Sequence, residues 1–528
     1  MAVDYTVPGV PDLSGGNFTI TASDTLTVNV GGAITNSDGD VMDNYGTVTN
    51  SAGGTITNEN DSFIRNYSTL TNFGTITNKG NTNTDIWNYG TLTNGAGGTI
   101  TIEKGNLLTI IGSTLTNAGT ITIVSGNLAS SGTITNSGSL ELALDSSYDL
   151  TGATLTNTGN LILRRDFTFN GTSGGTVNLN AGGTLTNYAT LTNAAGHTQT
   201  NVGAIDNQGA FTNNGTFTNN GTFTNNGTFT NNGAFTGDLT NPGTLSGTGA
   251  ITGNVINNGI VAPGNSIGTM TITGNYTHNA SATYQAEINA AGQSDRLVVT
   301  GTATLNGGTV SVLAESGAYN LSTTYTILTA GSVVGTFGSV TSNLAFLTPS
   351  LSYDPTNVYL TMFRNSTNFA DVAADFNQYA VASVLDRISS GTTGDMANVI
   401  NNLVGLSASG ARSAYDEMGG LVHTSLTGIT FSSFGRYMNV MSKRMGRFIS
   451  RGGRSSFAGR PTMLASRTDT GSDAGNTLIA ALGNMTRNTG ITSQGFWAEG
   501  YGSLGERRGN DVSSRYDYDT AGFAAFDP

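Results

Sequence analysis

One four-residue phrase, Thr-apolar-Thr-Asn, returns along this chain at nearly constant spacing, and that regularity narrows the possible folds more than any other feature. It stands at Thr47-Val48-Thr49-Asn50, Thr69-Leu70-Thr71-Asn72, Thr91-Leu92-Thr93-Asn94 and Thr114-Leu115-Thr116-Asn117, with starts 22, 22 and 23 residues apart. A second set trails the first at Thr55-Ile56-Thr57-Asn58, Thr75-Ile76-Thr77-Asn78, Thr99-Ile100-Thr101 and Thr120-Ile121-Thr122, spaced 20, 24 and 21. A period of this length holding two or more short strands, each closed by Asn or Gly, is what one coil of a β-solenoid requires. The spacing predicts an all-β fold built on a parallel β-helix, with about ten coils over residues 46–256 and a rod of roughly 50 Å at the strand spacing of a sheet.

Strand side chains alternate, so the central Val, Leu or Ile points inward and both threonines outward. Asn and Gly suit left-handed corners, and stacking like on like predicts apolar columns inside and asparagine ladders at the turns. From Gly209 the repeat contracts to six residues, Gly-Ala-Phe-Thr-Asn-Asn and then Gly-Thr-Phe-Thr-Asn-Asn. Phe211, Phe217, Phe223, Phe229 and Phe235 are then expected to face the core; the alternative is a tandem expansion lying in a loop.

Composition removes several function classes. Charged residues are 10% of the 528, against about 25% in ordinary soluble proteins, so Thr, Asn, Ser and Gly must cover the surface. The net charge of −13 is uneven: residues 1–360 hold 20 acidic and 6 basic side chains, which disfavours nucleic acid as a partner. With no cysteine there are no disulfides, thiolate metal sites or thiol nucleophiles. Met1 to Val30 has neither a basic start nor an apolar run of seven, so no signal peptide is expected in this chain, and no 18-residue apolar stretch suggests a transmembrane helix.

Past residue 256 the alternating runs lengthen, as in Thr309-Val310-Ser311-Val312 and Tyr325-Thr326-Ile327-Leu328, and residues 257–363 read as continued β-structure. The segment Gly259-Ile260-Val261-Ala262-Pro263-Gly264-Asn265-Ser266-Ile267-Gly268-Thr269 is followed by Gly274-Asn275-Tyr276, Asp295-Arg296-Leu297 and Gly301-Thr302-Ala303-Thr304-Leu305, then by Gly335-Thr336-Phe337. In that order these motifs resemble the C-terminal end of the passenger in monomeric autotransporters (type V secretion) of Gram-negative bacteria. The resemblance covers residues 257–528; for 1–256 it is to passenger β-helices in general. It implies lead-in strands over 1–45, β-helix repeats over 46–256 and an autochaperone-like β region over 257–363. A helical linker over 364–450, a flexible polar segment over 451–494 and the start of a translocator barrel over 495–528 would follow.

The helical reading also stands on spacing. Phe369, Val372, Phe376, Ala380 and Val384 lie 3 or 4 apart after Asn368, a cap, and Asp395 precedes Val399, Leu403 and Leu406. Phe434, Tyr437, Met438, Met441, Met445 and Phe448 make a further apolar stripe interspersed with Arg436, Lys443, Arg444 and Arg447. The runs Phe496-Trp497-Ala498-Glu499-Gly500-Tyr501-Gly502 and Asp517-Tyr518-Asp519-Thr520-Ala521-Gly522-Phe523 resemble the first two barrel strands. A membrane barrel needs at least 8 strands of about 9 to 11 residues, so the chain is expected to be a fragment that lacks the export signal and most of the translocator. Asn439 matches the residue at which some members of the family cut themselves; Val440 departs from the next position of that motif, so no cleavage is expected here.

Catalytic residues are not legible. His197, His278 and His423 sit in different segments, and no Ser/His/Asp constellation appears. Asp85, Glu103 and Asp166 could meet across coils as the paired acids of a carbohydrate-active enzyme, but nothing in them repeats at the coil period. No cofactor or metal is expected. The reading is a non-enzymatic surface-displayed or secreted passenger with an adhesive, aggregative or structural role. Its expected partners are host or matrix glycans or proteins, or a second copy, and it would meet the outer membrane only through the barrel. Stacked outward threonines leave an ice-binding array as a further alternative.

Overall fold

The computed structural model describes residues 4–7, 16–81, 83–170, 175–321, 323–420, 431, 434–439, 441–443, 497–507 and 516–526, with backbone alone considered for 4–7 and the last two stretches. It divides into two units, of which the larger comprises residues 1–343 and 347–364.

This larger unit is a parallel β-solenoid of about 12 turns. The two tetrad series form two of its walls: Thr47 pairs with Thr69, Thr69 with Thr91 and Thr91 with Thr114, while Thr55, Thr75, Thr99 and Thr120 pair in the same order. A third wall runs between them, beginning with Phe18–Ile20, Val41–Asn44, Phe63–Asn66, Asp85–Asn88 and Asn106–Thr109. Each turn therefore carries three strands. The third wall is in two pieces, seven strands ending at Ser147–Asp149 and nine beginning at Phe167–Phe169.

Alternation follows the period of two. Val48, Leu70, Leu92, Leu115, Ile134 and Leu155 are buried, and their flanking threonines reach the surface. The fourth residue of each tetrad shares this inward orientation, which corrects the placement of asparagine at the corners. Asn50, Asn72, Asn94, Asn117 and Asn136 are buried inside the solenoid. In the chain Asn50, Asn72, Asn94, Asn117, Asn136, Asn157, each Nδ2 donates to the Oδ1 of the next at 2.7 to 2.8 Å. Each Nδ2 also reaches corner carbonyls, as Asn72 does to Gly74 O and Thr99 O. Carbonyls buried at a corner cannot be left unpaired, and a short inward amide satisfies them where an apolar residue would not. Among the described residues only Asp38, Asn60 and Asp61 adopt positive φ without being glycine, so the ladder asparagines are not left-handed.

The hexad region is solenoid, not loop. Three hexads complete one turn of 18 residues, pairing Phe211 with Phe229 on the third wall and Phe217 with Phe235 on the first, while Phe223 pairs with Ile205 on the second. The five rings interlock with centroids 5.0 to 6.1 Å apart. Corners this tight admit glycine for reasons of space: a Cβ at Gly221 would collide with the Gly203 carbonyl one turn back.

Toward the C-terminal end a corner is lost. The eleven residues Arg296–Asn306 form one strand that pairs with Thr269–Thr273 and then, past an irregularity between Val299 and Thr302, with Tyr276–His278. Thr324–Thr336 repeats this behaviour. The hairpin Leu347–Tyr353 and Asn357–Arg364 then pairs antiparallel with Thr324–Thr329, ending the parallel ladder on that wall.

The second unit takes in residues 344–346 and those from 365 onward. Its core gathers Phe346, Phe369, Ala382, Leu385, Ile400, Leu403, Ala411 and Tyr415. Asn368 precedes a single 3-10 turn, Phe369–Val372, and Ala373 is extended, so the helix α1, Phe376–Ile388, starts afresh with Asp375 accepting from Gln378 N. That break corrects the expected stripe. Phase is lost between Phe369 and Phe376, and α1 buries Gln378, Ala382 and Leu385 while Phe376 and Val384 face solvent at 76% and 45% exposure. Helix α2, Asp395–Val404, buries Ile400 and Leu403; helix α3, Ala408–Met418, is capped by Ser407 and had no counterpart in the sequence reading. Residues 434–439 and 441–443 are helical, and the strands Trp497–Arg507 and Tyr516–Phe526 pair antiparallel over their full length. Residues 451–494 lie outside the described residues. Among the described residues no helix is long and apolar enough to cross a membrane, which says nothing of a β-barrel.

Candidate functional site

Two walls of the early solenoid present threonine columns. On the first, Thr49, Thr71, Thr93, Thr116, Thr135 and Thr156 stack in register beside a parallel column led by Thr47 and Thr69. The third wall differs. Its outward positions over three successive turns are Val41 and Asp43, Phe63 and Arg65, then Asp85 and Trp87, and the corner beyond carries Tyr45, Tyr67 and Tyr89.

These side chains form one cluster. Tyr45 stacks on Tyr67 at 4.6 Å between centroids and Tyr67 on Tyr89 at 4.8 Å. Trp87 meets Tyr89 edge-on at 6.2 Å and Phe63 at 5.4 Å. The Arg65 guanidinium lies 5.4 Å from the centres of both Phe63 and Trp87, and its Nη1 is 4.0 Å from Asp43 Oδ1. Beneath them Met42, Ile64 and Ile86 fill the core and Asn44, Asn66 and Asn88 form an inward ladder at 2.7 to 2.8 Å. A smaller cluster of the same kind lies further along, with Arg164 4.5 Å over Tyr188 and bonded to Glu141 at 2.6 Å, and Arg165 5.3 Å over Tyr148. The strands of the first cluster do not spell the tetrad, so the repeat alone does not reveal it. The signal was present as Asn44-Tyr45, Asn66-Tyr67 and Asn88-Tyr89, each 22 residues apart.

The three carboxylates weighed as paired acids do not bond one another. Asp85 accepts from Trp87 Nε1 at 3.1 Å and from the backbone and side-chain nitrogens of Asn106 at 2.8 Å. Asp166 accepts from Thr190 N at 3.0 Å, and the Glu103 carbonyl, not its carboxylate, receives Ser125 N. Among the described residues no three His, Asp or Glu side chains gather as a metal site would need. No family model and no curated protein matches the chain.

His197 faces Asn193 Oδ1 at 2.9 Å, and burial lowers its pKa. His278 is fully buried and takes the position in register with Asn257, the last asparagine of a ladder running from Asn187. Its Nδ1 lies 2.8 Å from the Tyr276 hydroxyl, and burial pushes its pKa down to about 4. A histidine held neutral inside an amide ladder ends a hydrogen-bonded column. His423 lies outside the described residues, and Asn439 is exposed on a helical segment.

The motif Pro263 to Gly268 with Asp295 is a clasp. Asp295 is 2% exposed, and its carboxylate accepts from Gly268 N at 2.8 Å and from Glu287 N at 2.9 Å, tying a loop to two strands. Gly264 adopts φ +97°, where a side chain would also strike Ser266 O. Burial pushes the Asp295 carboxyl up to about 7, against the pull of the two N–H donors.

Proposed function

We propose that the chain is the β-helical passenger of a type V autotransporter together with part of its translocation unit, displayed on or released from a Gram-negative cell surface. In this reading it serves adhesion, aggregation or spacing without catalysis. The observation that carries it is the clasp: the motif residues Gly264, Gly268 and Asp295 meet where the short-strand turns give way to long strands and an antiparallel closure. The terminal antiparallel strand pair is consistent with the opening of a barrel. Solenoid walls rich in hydroxyls and amides give repeated weak hydrogen-bonding groups, suited to glycans, matrix proteins or a second copy. Expressing the complete reading frame in a Gram-negative host and treating intact cells with protease tests the display. Cleavage of the solenoid from outside is expected, and full protection inside the cell would overturn the proposal. The in-register threonine columns also favour an ice-binding array as a second reading, and a thermal-hysteresis measurement separates the two.

A further inference from the structure

We infer that the outward aromatic cluster on the third wall, around Arg65 and Trp87, binds a neutral hexose polymer lying along the solenoid axis. The inference deepens the adhesive reading by naming a ligand class and a place.

Four observations converge. First, the cluster is not needed to fill the core, because Met42, Ile64, Ile86 and the Asn44 ladder already do so beneath it. In the same turns the other two walls fold with threonine at the outward positions. Second, its composition is that of binding surfaces: tyrosine, tryptophan and arginine concentrate interface energy, and each joins an apolar body to a polar tip. Tyr45, at the head of the stack, is 46% exposed.

Third, the polar groups suit hydroxyls. Asp43 and Arg65 stand 4.0 Å apart, beyond direct hydrogen-bond contact, on side chains 22% and 30% exposed, and Asp43 Oδ1 and Arg65 Nε lie buried without a hydrogen-bond partner in the protein. A sugar hydroxyl both donates and accepts, so it can serve a carboxylate and a guanidinium together, while the C–H face of a hexose ring packs on aromatic carbon. The solenoid's excess of carboxylates disfavours a polyanion. Fourth, the tyrosine column Tyr45, Tyr67 and Tyr89 repeats over three turns at the strand spacing of about 4.8 Å, with the rest of the cluster beside it. An extended chain on this line engages several rungs at once, and linked weak contacts reinforce each other.

The test is affinity electrophoresis of the whole chain through gels holding hydroxyethylcellulose or galactomannan, with polygalacturonate as the anionic probe and thermal melting of every variant. Retardation by at least one neutral polymer is expected. It should fall at least tenfold in Trp87→Ala and in Tyr45→Ala, and stay unchanged in Tyr188→Ala. Tyr45→Ala removes the end ring of the stack, so it reports on binding even where Trp87→Ala lowers the melting temperature. The inference is overturned by the absence of retardation with both neutral polymers, by retardation in polygalacturonate alone, or by variants that melt lower yet bind as before. It is likewise overturned if the purified chain self-associates through these residues and binds no polymer. None of these results touches surface display, which the protease experiment reads separately.

Discussion

Replacing Asn72 by alanine is expected to destabilise the solenoid as much as emptying its apolar core. Asn72 is fully buried. Its Oδ1 receives Asn50 Nδ2 at 2.7 Å, and its Nδ2 serves Asn94 Oδ1 at 2.7 Å, Thr99 O at 3.1 Å and Gly74 O at 3.2 Å. Losing the amide strips Asn94 Oδ1 of that donor in a site without solvent, while Asn50 Nδ2 keeps Thr75 O at 3.1 Å and Gly74 O keeps Thr99 N at 2.8 Å. A net hydrogen bond contributes about 1 kcal/mol, and a buried polar group left unpaired costs about 1 to 3 kcal/mol. The expected cost is about 3 to 5 kcal/mol, comparable to the roughly 2 to 5 kcal/mol of a buried Leu→Ala change such as Leu70→Ala. Thr71→Ala, on the outer surface, should stay within about 0.5 kcal/mol. Solenoids unfold locally as well as globally, so the assay is urea denaturation paired with hydrogen exchange of the amides in turns 47–72 and 69–94. If Asn72→Ala behaves like Thr71→Ala, the inward amides do not sustain the corners and the reasoning fails.

The buried Asp295 has a folded pKa of about 7, above its ordinary 3.8. The folded state therefore holds the proton more tightly, and this stabilisation, complete below about pH 4, is lost as pH rises to about 7; Asp295→Asn should flatten that slope in melting curves. His278 has the opposite sign: its folded pKa of about 4 lies below the ordinary 6.5, so its contribution is present above pH 6.5 and lost as pH falls toward 4. NMR of its imidazole C–H should show a neutral ring down to that pH, and titration near 6.5 would contradict its burial. Phe223→Ala, which empties the centre of the five-ring stack, should cost about 3 to 5 kcal/mol by denaturation, against less than about 0.5 for the outward Thr224→Ala.

What was legible in the sequence was whatever depends on period. Leu70 and Ile100 point inward because a strand alternates, and the Phe hexads close into turns because four strand residues and two corner residues repeat without remainder. What was illegible depends on neighbours one turn away. Tolerance of left-handed backbone argued for asparagine at the corners, yet alternation places Asn50 and Asn72 at inward strand positions, where only a partner in the adjacent turn makes burial tolerable. The third wall escaped notice because Val41–Asn44, Phe63–Asn66 and Asp85–Asn88 share no tetrad, only a register. So did the aromatic cluster, since Tyr45, Tyr67 and Tyr89 become neighbours only after the coils stack. In the helical unit the extended Ala373 resets the phase of the apolar pattern, a backbone event that spacing alone does not record.

The central claim, a three-walled solenoid that advances one strand spacing per turn, is tested most directly by distances between paired spin labels in this cysteine-free chain. Thr49 and Thr135 are four turns apart on the first wall, and Thr49 and Thr218 eight. At about 4.8 Å per turn, labels on Thr49→Cys/Thr135→Cys should lie near 19 Å and on Thr49→Cys/Thr218→Cys near 38 Å, both narrowly distributed. Equal distances for the two pairs, or a broad spread in either, would contradict the fold.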